Sequence, residues 1–224
     1  MRRRSCTSAR CPMRATPGNA SMPGRLARSS RMAADAPKQP VSASLQAVFD
    51  WIDNHADECI ADLQELVRQP SISAQGIGLE ACADLVLQQM QRDGLDARKI
   101  DLGGGPPLIF GHMTTPQSGK TMMCYSHYDV QPPEPIEAWT HGGPWSAEIV
   151  DGVLYGRGAT DNKSGILAFN KAAKAFLEVH GELPVNLKFL CEGEEEIGSI
   201  HLGPWAATHA DLLEADGMHC LDGP

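Results

Sequence analysis

From residue 108 onward, short apolar runs alternate with stretches of helical periodicity, and this alternation narrows the fold more than any other feature. Leu108–Met113, Thr121–Tyr128, Val153–Gly156, Val185–Cys191 and Gly217–Leu221 each have the length of one strand. Helical patterns lie between them, from about Lys163 to His180 with Gly181 as the cap, and over roughly Ser199–His209. Upstream, Leu45, Val48, Phe49, Ile52, Ile60, Leu63, Leu66 and Val67 form one apolar stripe, which predicts a single helix from about Ser44 to Arg68, closed by Pro70. A second helix is expected from Leu79 to Arg92, ended by Gly94, and the glycines and prolines at 103–107 mark a loop. Strands alternating with helices predict an α/β three-layer sandwich around a central mixed, mostly parallel sheet. The runs 108–113 and 121–128 read as adjacent strands, with Pro116 to Lys120 as their turn.

Charge divides the chain unevenly. Residues 1–31 hold eight arginines and no acid, whereas the remaining 193 residues hold 11 lysines and arginines against 28 acids, a net of −17. An acidic body repels nucleic acid, so no nucleic-acid partner is expected. No apolar run approaches the roughly 18–20 residues of a membrane helix, so no spanning segment is expected either. The Arg- and Ser-rich stretch 1–40 lacks the apolar content to order itself and reads as a disordered tail, leaving 41–224 as the folded part. It has no hydrophobic region of a secretory signal; an organellar transit peptide or sequence upstream of a start at Met22 or Met32 both fit its composition. Seven cysteines at irregular positions, without a CxxC pair, point to a reducing compartment, the cytoplasm, and to no disulfide framework. Cys124, Cys191 and Cys220 sit in apolar runs and read as small core residues.

In open α/β sheets, sites form at the carboxyl ends of strands. Here those ends carry His127 and Asp129, then Asp161, then Glu194, Glu195 and Glu196, then Asp222. A lone histidine on a strand is ordinarily a core residue, a glutamate run a solvated face, and an aspartate before a helix an N-cap. Their joint placement is what argues for chemistry. One imidazole with several carboxylates and no thiolate suits a hydrolytic zinc, manganese or cobalt site better than a structural zinc site. The His-x-Asp step lets Asp129 accept a hydrogen bond from the non-ligating nitrogen of His127. Two metals side by side need a bridging carboxylate, and of the consecutive Glu195 and Glu196 one can bind metal while the other moves protons.

Three segments carry a recognisable pattern: Ser126-His127-Tyr128-Asp129-Val130-Gln131-Pro132, then Gly156-Arg157-Gly158-Ala159-Thr160-Asp161-Asn162-Lys163, then Glu192-Gly193-Glu194-Glu195-Glu196-Ile197-Gly198-Ser199. Together with Leu66–Ser73, they resemble the M20 metallopeptidases over about residues 44–224, and the spelling His-Tyr-Asp-Val-Gln-Pro is similar to the dipeptidase, carnosinase-like branch. The resemblance implies two divalent metal ions, zinc foremost with manganese or cobalt as alternatives. It makes His127, Asp161 and Asp222 ligands of one ion, Asp161 the bridge, and Glu196 a ligand of the other. Glu195 becomes the general base, Asp129 the residue orienting His127, and the Asp161–Asn162 peptide is expected to be cis. The implied substrate is a dipeptide or small peptide, and the implied full-length form is a homodimer. Family members carry an inserted lid and dimerisation domain and a later histidine ligand, neither found in these 224 residues. The chain therefore reads as a truncated, N-terminal portion of the catalytic domain, weak or inactive and aggregation-prone alone. The alternatives are a non-catalytic remnant binding at most one metal and an N-acyl amino-acid amidase on the same fold.

Overall fold

The structure, a computed structural model, describes residues 42–222. The Arg/Ser-rich segment assigned to a disordered tail lies outside the described residues.

The long apolar stripe folds as two helices instead of one, α1 (Ala43–Asn54) and α2 (Ala56–Arg68). The break is His55, whose ring stacks on Trp51 at 3.9 Å and whose Nδ1 lies 2.7 Å from the Trp51 carbonyl. With that carbonyl engaged locally, the backbone leaves helical geometry, and Asp57 and Glu58 provide the acidic first turn that favours a fresh helix start. Helix α3 (Leu79–Arg92) follows Gly78, where φ is +71° and an added Cβ would sit 2.1 Å from the Pro70 carbonyl oxygen; only glycine fits.

Five strands form the main sheet: β1 (Asp96–Ile100), β2 (Leu108–Met113), β3 (Thr121–His127), β6 (Asn186–Glu192) and β7 (Gly217–Cys220), in the order β1-β2-β6-β3-β7. A separate hairpin of β4 (Glu148–Val150) and β5 (Val153–Tyr155) packs beside α2. The edge strand β1 escapes sequence reading because Asp-Ala-Arg-Lys-Ile buries little beyond Ala97. The expected adjacency of 108–113 and 121–128 is overturned, since β6 lies between them, antiparallel to β2 and parallel to β3. Residues 114–120 are accordingly no hairpin turn. They wrap over the start of β6, where the Asn186 side chain accepts from Thr115 N at 2.8 Å and its backbone N–H donates to Lys120 at 2.9 Å. The pairings leave β1, β6, β3 and β7 pointing one way and β2 against them.

Side-chain alternation splits the strands between two layers. Ile109, Cys124, Phe189 and Cys191 face α2, α3 and α4 (Ser164–His180), while Leu108, Phe110, Met123 and Leu190 face α5 (Leu202–Thr208) and α6 (Ala210–Leu213) through Trp205. Cys124 and Cys191 lie in the core, but Cys220 is exposed, on β7, the outermost strand of the sheet among the described residues. Among the described residues no helix is long and apolar enough to cross a membrane.

A buried charge network ties α2, α3 and α4 together. Lys171 Nζ lies 2.5 Å from Asp62 and 2.6 Å from Asp93, and Asp93 also receives Asn170 at 2.7 Å and Lys174 at 3.1 Å. Burial pushes the Asp93 carboxyl up, but hydrogen bonds from Lys171, Lys174 and Arg92 outweigh it and hold the carboxyl below its ordinary value. Asp93→Ala leaves Lys171 with Asp62 as its close partner and takes a bond from Asn170 and Lys174, and should cost about 1–3 kcal/mol in urea unfolding. The depressed folded-state pKa also fixes the sign of the pH effect. The contribution is complete above the unfolded carboxyl value near 3.9 and is lost as pH falls through the lower folded value.

Candidate metal centre

Because β3, β6 and β7 run parallel, their carboxyl ends emerge along one edge, and the loops that follow converge there. His127 closes β3 opposite Glu192 of β6 and is fully buried. The chain then runs on into a stitched loop: Tyr128 N donates to Glu192 O at 2.8 Å, Ser71 Oγ donates to Tyr128 O at 2.6 Å, and Val130 N donates to Ser71 O at 2.8 Å. This holds Asp129 in the interior, where it serves two sides. Its Oδ1 lies 3.3 Å from His127 Nδ1, and its carbonyl oxygen lies 3.1 Å from the same nitrogen. Its two carboxylate oxygens accept the backbone N–H groups of Glu195 and Glu196, both at 3.1 Å. One side chain thus orients the imidazole and pins the turn that carries both glutamates.

Asp161 enters from a distorted turn at 159–163 that begins at left-handed Gly158, and its peptide bond to Asn162 is cis. Asn162 reaches across to the end of β7, donating to Leu221 O at 2.7 Å and Asp222 Oδ1 at 2.8 Å, which places Asp222 in the same pocket. Lys163 is fully buried and donates to the carbonyls of Leu66 and Gln69, at 2.8 and 2.7 Å, capping the end of α2. Gly165 lets α4 approach, since a Cβ there would lie 2.3 Å from Asn162 Oδ1 and 2.6 Å from Leu221 O. Asn162, Lys163 and Gln131 stand within the recognisable segments, but their supporting contacts join loops far apart in sequence and leave no local signal.

The donor atoms of His127, Asp161 and Asp222 lie within 4.8 Å of one another. His127 Nε2 is 3.0 Å from Asp161 Oδ1, 3.6 Å from Asp222 Oδ1 and 3.8 Å from Glu195 Oε2. Glu196 stands apart from that trio: its carboxylate accepts from Gln131 N at 3.2 Å and Gln131 Nε2 at 2.7 Å, and it shares a cleft with Asp161. Glu194 turns away, buried, with its oxygens 2.8 and 3.0 Å from His201 Nδ1.

The electrostatics are those of crowded carboxylates. Burial would lower the His127 pKa, but Asp129 and Asp161 override it and hold the ring protonated to about 11. Burial pushes Glu195 above the usual carboxylate range; Asp222, Asp129 and Asp161 add to that, while His127 opposes it. Burial raises Glu196 too, against the bond from Gln131. A divalent cation relieves both imbalances, since it favours a neutral imidazole and charged carboxylates. Two atoms make the fit concrete. His127 Nε2 and Asp161 Oδ1 are buried and face each other at 3.0 Å, and neither has a hydrogen-bond partner among the other described groups. Buried polar atoms with so few partners are costly unless something further satisfies them, and one imidazole nitrogen with two carboxylates is a donor set for zinc or a neighbouring divalent metal.

Residues 123–224 match Peptidase family M20/M25/M40. Over 178 residues the chain is 36% identical to the Beta-Ala-His dipeptidase of Homo sapiens, covering 73% of this chain and 35% of that protein. It is 32% identical to the Cys-Gly metallodipeptidase dug1 of Schizosaccharomyces pombe, covering 70% of this chain and 35% of that one. The crystal structure of human carnosine dipeptidase 1 superposes with a TM-score of 0.74 at 34% identity, over 80% of this chain and 41% of the other. The chain thus spans roughly a third of the length of these curated relatives. In sequence pattern, in its central mixed sheet and in the relatives it aligns with, this chain belongs to the M20 peptidases.

Proposed function

We propose that this chain carries the metal centre of a peptidase that cleaves dipeptides or small peptides. The observation that carries the reading is the convergence of His127, Asp161 and Asp222, whose donor atoms lie within 4.8 Å of one another. Its substrate class draws support from the relatives, two of which are named as dipeptidases. His127, Asp161 and Asp222 would hold one divalent ion. Asp161, from its other side, and Glu196 would hold a second; zinc suits both, with manganese or cobalt as alternatives. Such ions supply Lewis acidity, lowering the pKa of water and polarising the peptide carbonyl. Asp129 keeps His127 Nδ1 protonated and Nε2 available. Glu195 takes the proton of the attacking water on its carboxylate and passes it to the leaving amine. The cytoplasm is the proposed setting, in keeping with free thiols at the five described cysteines, and a homodimer is the proposed full-length assembly.

Glu196 lies outside the compact trio, and this favours a second reading in which the chain binds a single ion and hydrolyses nothing. Metal content and turnover separate the two. The purified chain, stripped by chelator and reloaded with zinc, should hold two ions and hydrolyse dipeptides only slowly, still in preference to N-acetyl amino acids. One ion without turnover would establish the second reading, and a preference for N-acetyl amino acids would make it an amidase.

A further inference from the structure

Beside Asp161 and Glu196 opens a cleft of about 440 Å³ whose other walls include three aromatic rings, three prolines and Arg157. Trp139, His141 and Tyr155 line it, and each is only half-buried. They are held in place from behind. Trp139 Nε1 donates to the Pro133 carbonyl at 2.7 Å, the Arg157 guanidinium lies 5.6 Å from the Trp139 ring centroid, and Arg157 donates to the Pro132 carbonyl at 3.3 Å. The His141 and Tyr155 rings meet at 4.1 Å with a 44° tilt. These rings line a concavity beside the candidate metal centre and keep part of their surface exposed. The volume lies low in the range of small-ligand sites, enough for one large side chain and its backbone. Rings prefer other rings, offset-stacked or edge-on, over aliphatic groups of similar area.

We infer that this cleft is a specificity subsite, receiving an aromatic side chain of the substrate residue next to the scissile bond. The occupant's identity as a substrate rests on the peptidase reading; the preference for a ring rests on the cleft itself. In this arrangement Trp139 and Tyr155 provide the stacking faces, and the Asp161 and Glu196 end of the cleft lies toward the bond to be cut.

Equilibrium binding tests this without turnover. In zinc-loaded Glu195→Gln protein, calorimetry should show Phe-Ala or Ala-Phe binding about tenfold tighter than Ala-Ala, the scale of one buried ring contact. Adding Trp139→Ala should bring that ratio close to one, and Trp139→Phe should restore most of it. An equal loss for aromatic and alanyl dipeptides, no aromatic preference, or no binding of any dipeptide would overturn the subsite. If Trp139→Ala does not fold, Tyr155→Ala and His141→Ala are read by the same ratio. Turnover by the protein with Glu195 intact keeps the two readings apart. Aromatic-selective binding without hydrolysis of any dipeptide sinks the peptidase reading and leaves the subsite standing, and unselective hydrolysis does the reverse.

Discussion

Asp161→Ala should abolish stable metal binding at both positions, lowering affinity by more than the roughly 10–100-fold typical of losing a group that merely supports a ligand. The expectation follows from where the side chain sits. One carboxylate oxygen faces His127 Nε2 at 3.0 Å, and the residue also lines the cleft occupied by Glu196. No other acid in the centre belongs to both groups. The same substitution should leave the fold intact. The His127 ring loses one partner but keeps Asp129, and removing one negative charge from beside Glu195 and Glu196 relieves repulsion in the metal-free protein. Asp129 is the contrasting case, because its loss would strand two backbone N–H groups and release the glutamate turn. Metal content after dialysis, measured beside thermal unfolding of the apo form, decides the matter. Full zinc retention by a folded Asp161→Ala protein would remove Asp161 from the centre.

How much of this could be read beforehand varies by element, for physical reasons. The interior strands were legible because burial on both faces demands continuous apolar runs, as in Leu-Ile-Phe of β2 and Phe-Leu-Cys of β6. Their order was not, because β6 and the 114–120 segment are matched through Asn186, a contact that leaves no periodic trace. The split between α1 and α2 was hidden by a stripe that continues in phase across His55, so that only a local side-chain contact marks the break. In the site, the acids and the histidine were visible because each ends an apolar run. The spacing could not distinguish Glu194, which is spent on His201, from Glu195, which faces the centre. Nor could it assign Asn162 to hold Asp222, or Lys163 to close α2, since both partners are dozens of residues away.

Glu195→Gln should lower kcat by about 10²–10⁴-fold with metal content unchanged, the range expected when a positioned proton shuttle is removed. The two consecutive glutamates share one anchor, since Asp129 accepts from both backbone N–H groups, yet their side chains diverge. The Glu196 carboxylate is engaged by Gln131, whereas Glu195 Oε2 stands 3.8 Å from His127 Nε2, close enough to reach water held at the trio and too far to replace Asp161 beside the ring. Glutamine keeps the size and the backbone tie and removes only the capacity to accept and return a proton. A metal-binding role for Glu195 would instead show as zinc loss in step with activity. The pH profile offers a second check. Burial and neighbouring acids raise the Glu195 carboxyl in the metal-free protein, while cations at His127 and Asp161 would draw it back down. The acid limb of activity should therefore reflect a carboxylate and should vanish from the residual rate of the Gln variant. An unchanged acid limb in that variant would assign the proton transfer to another group.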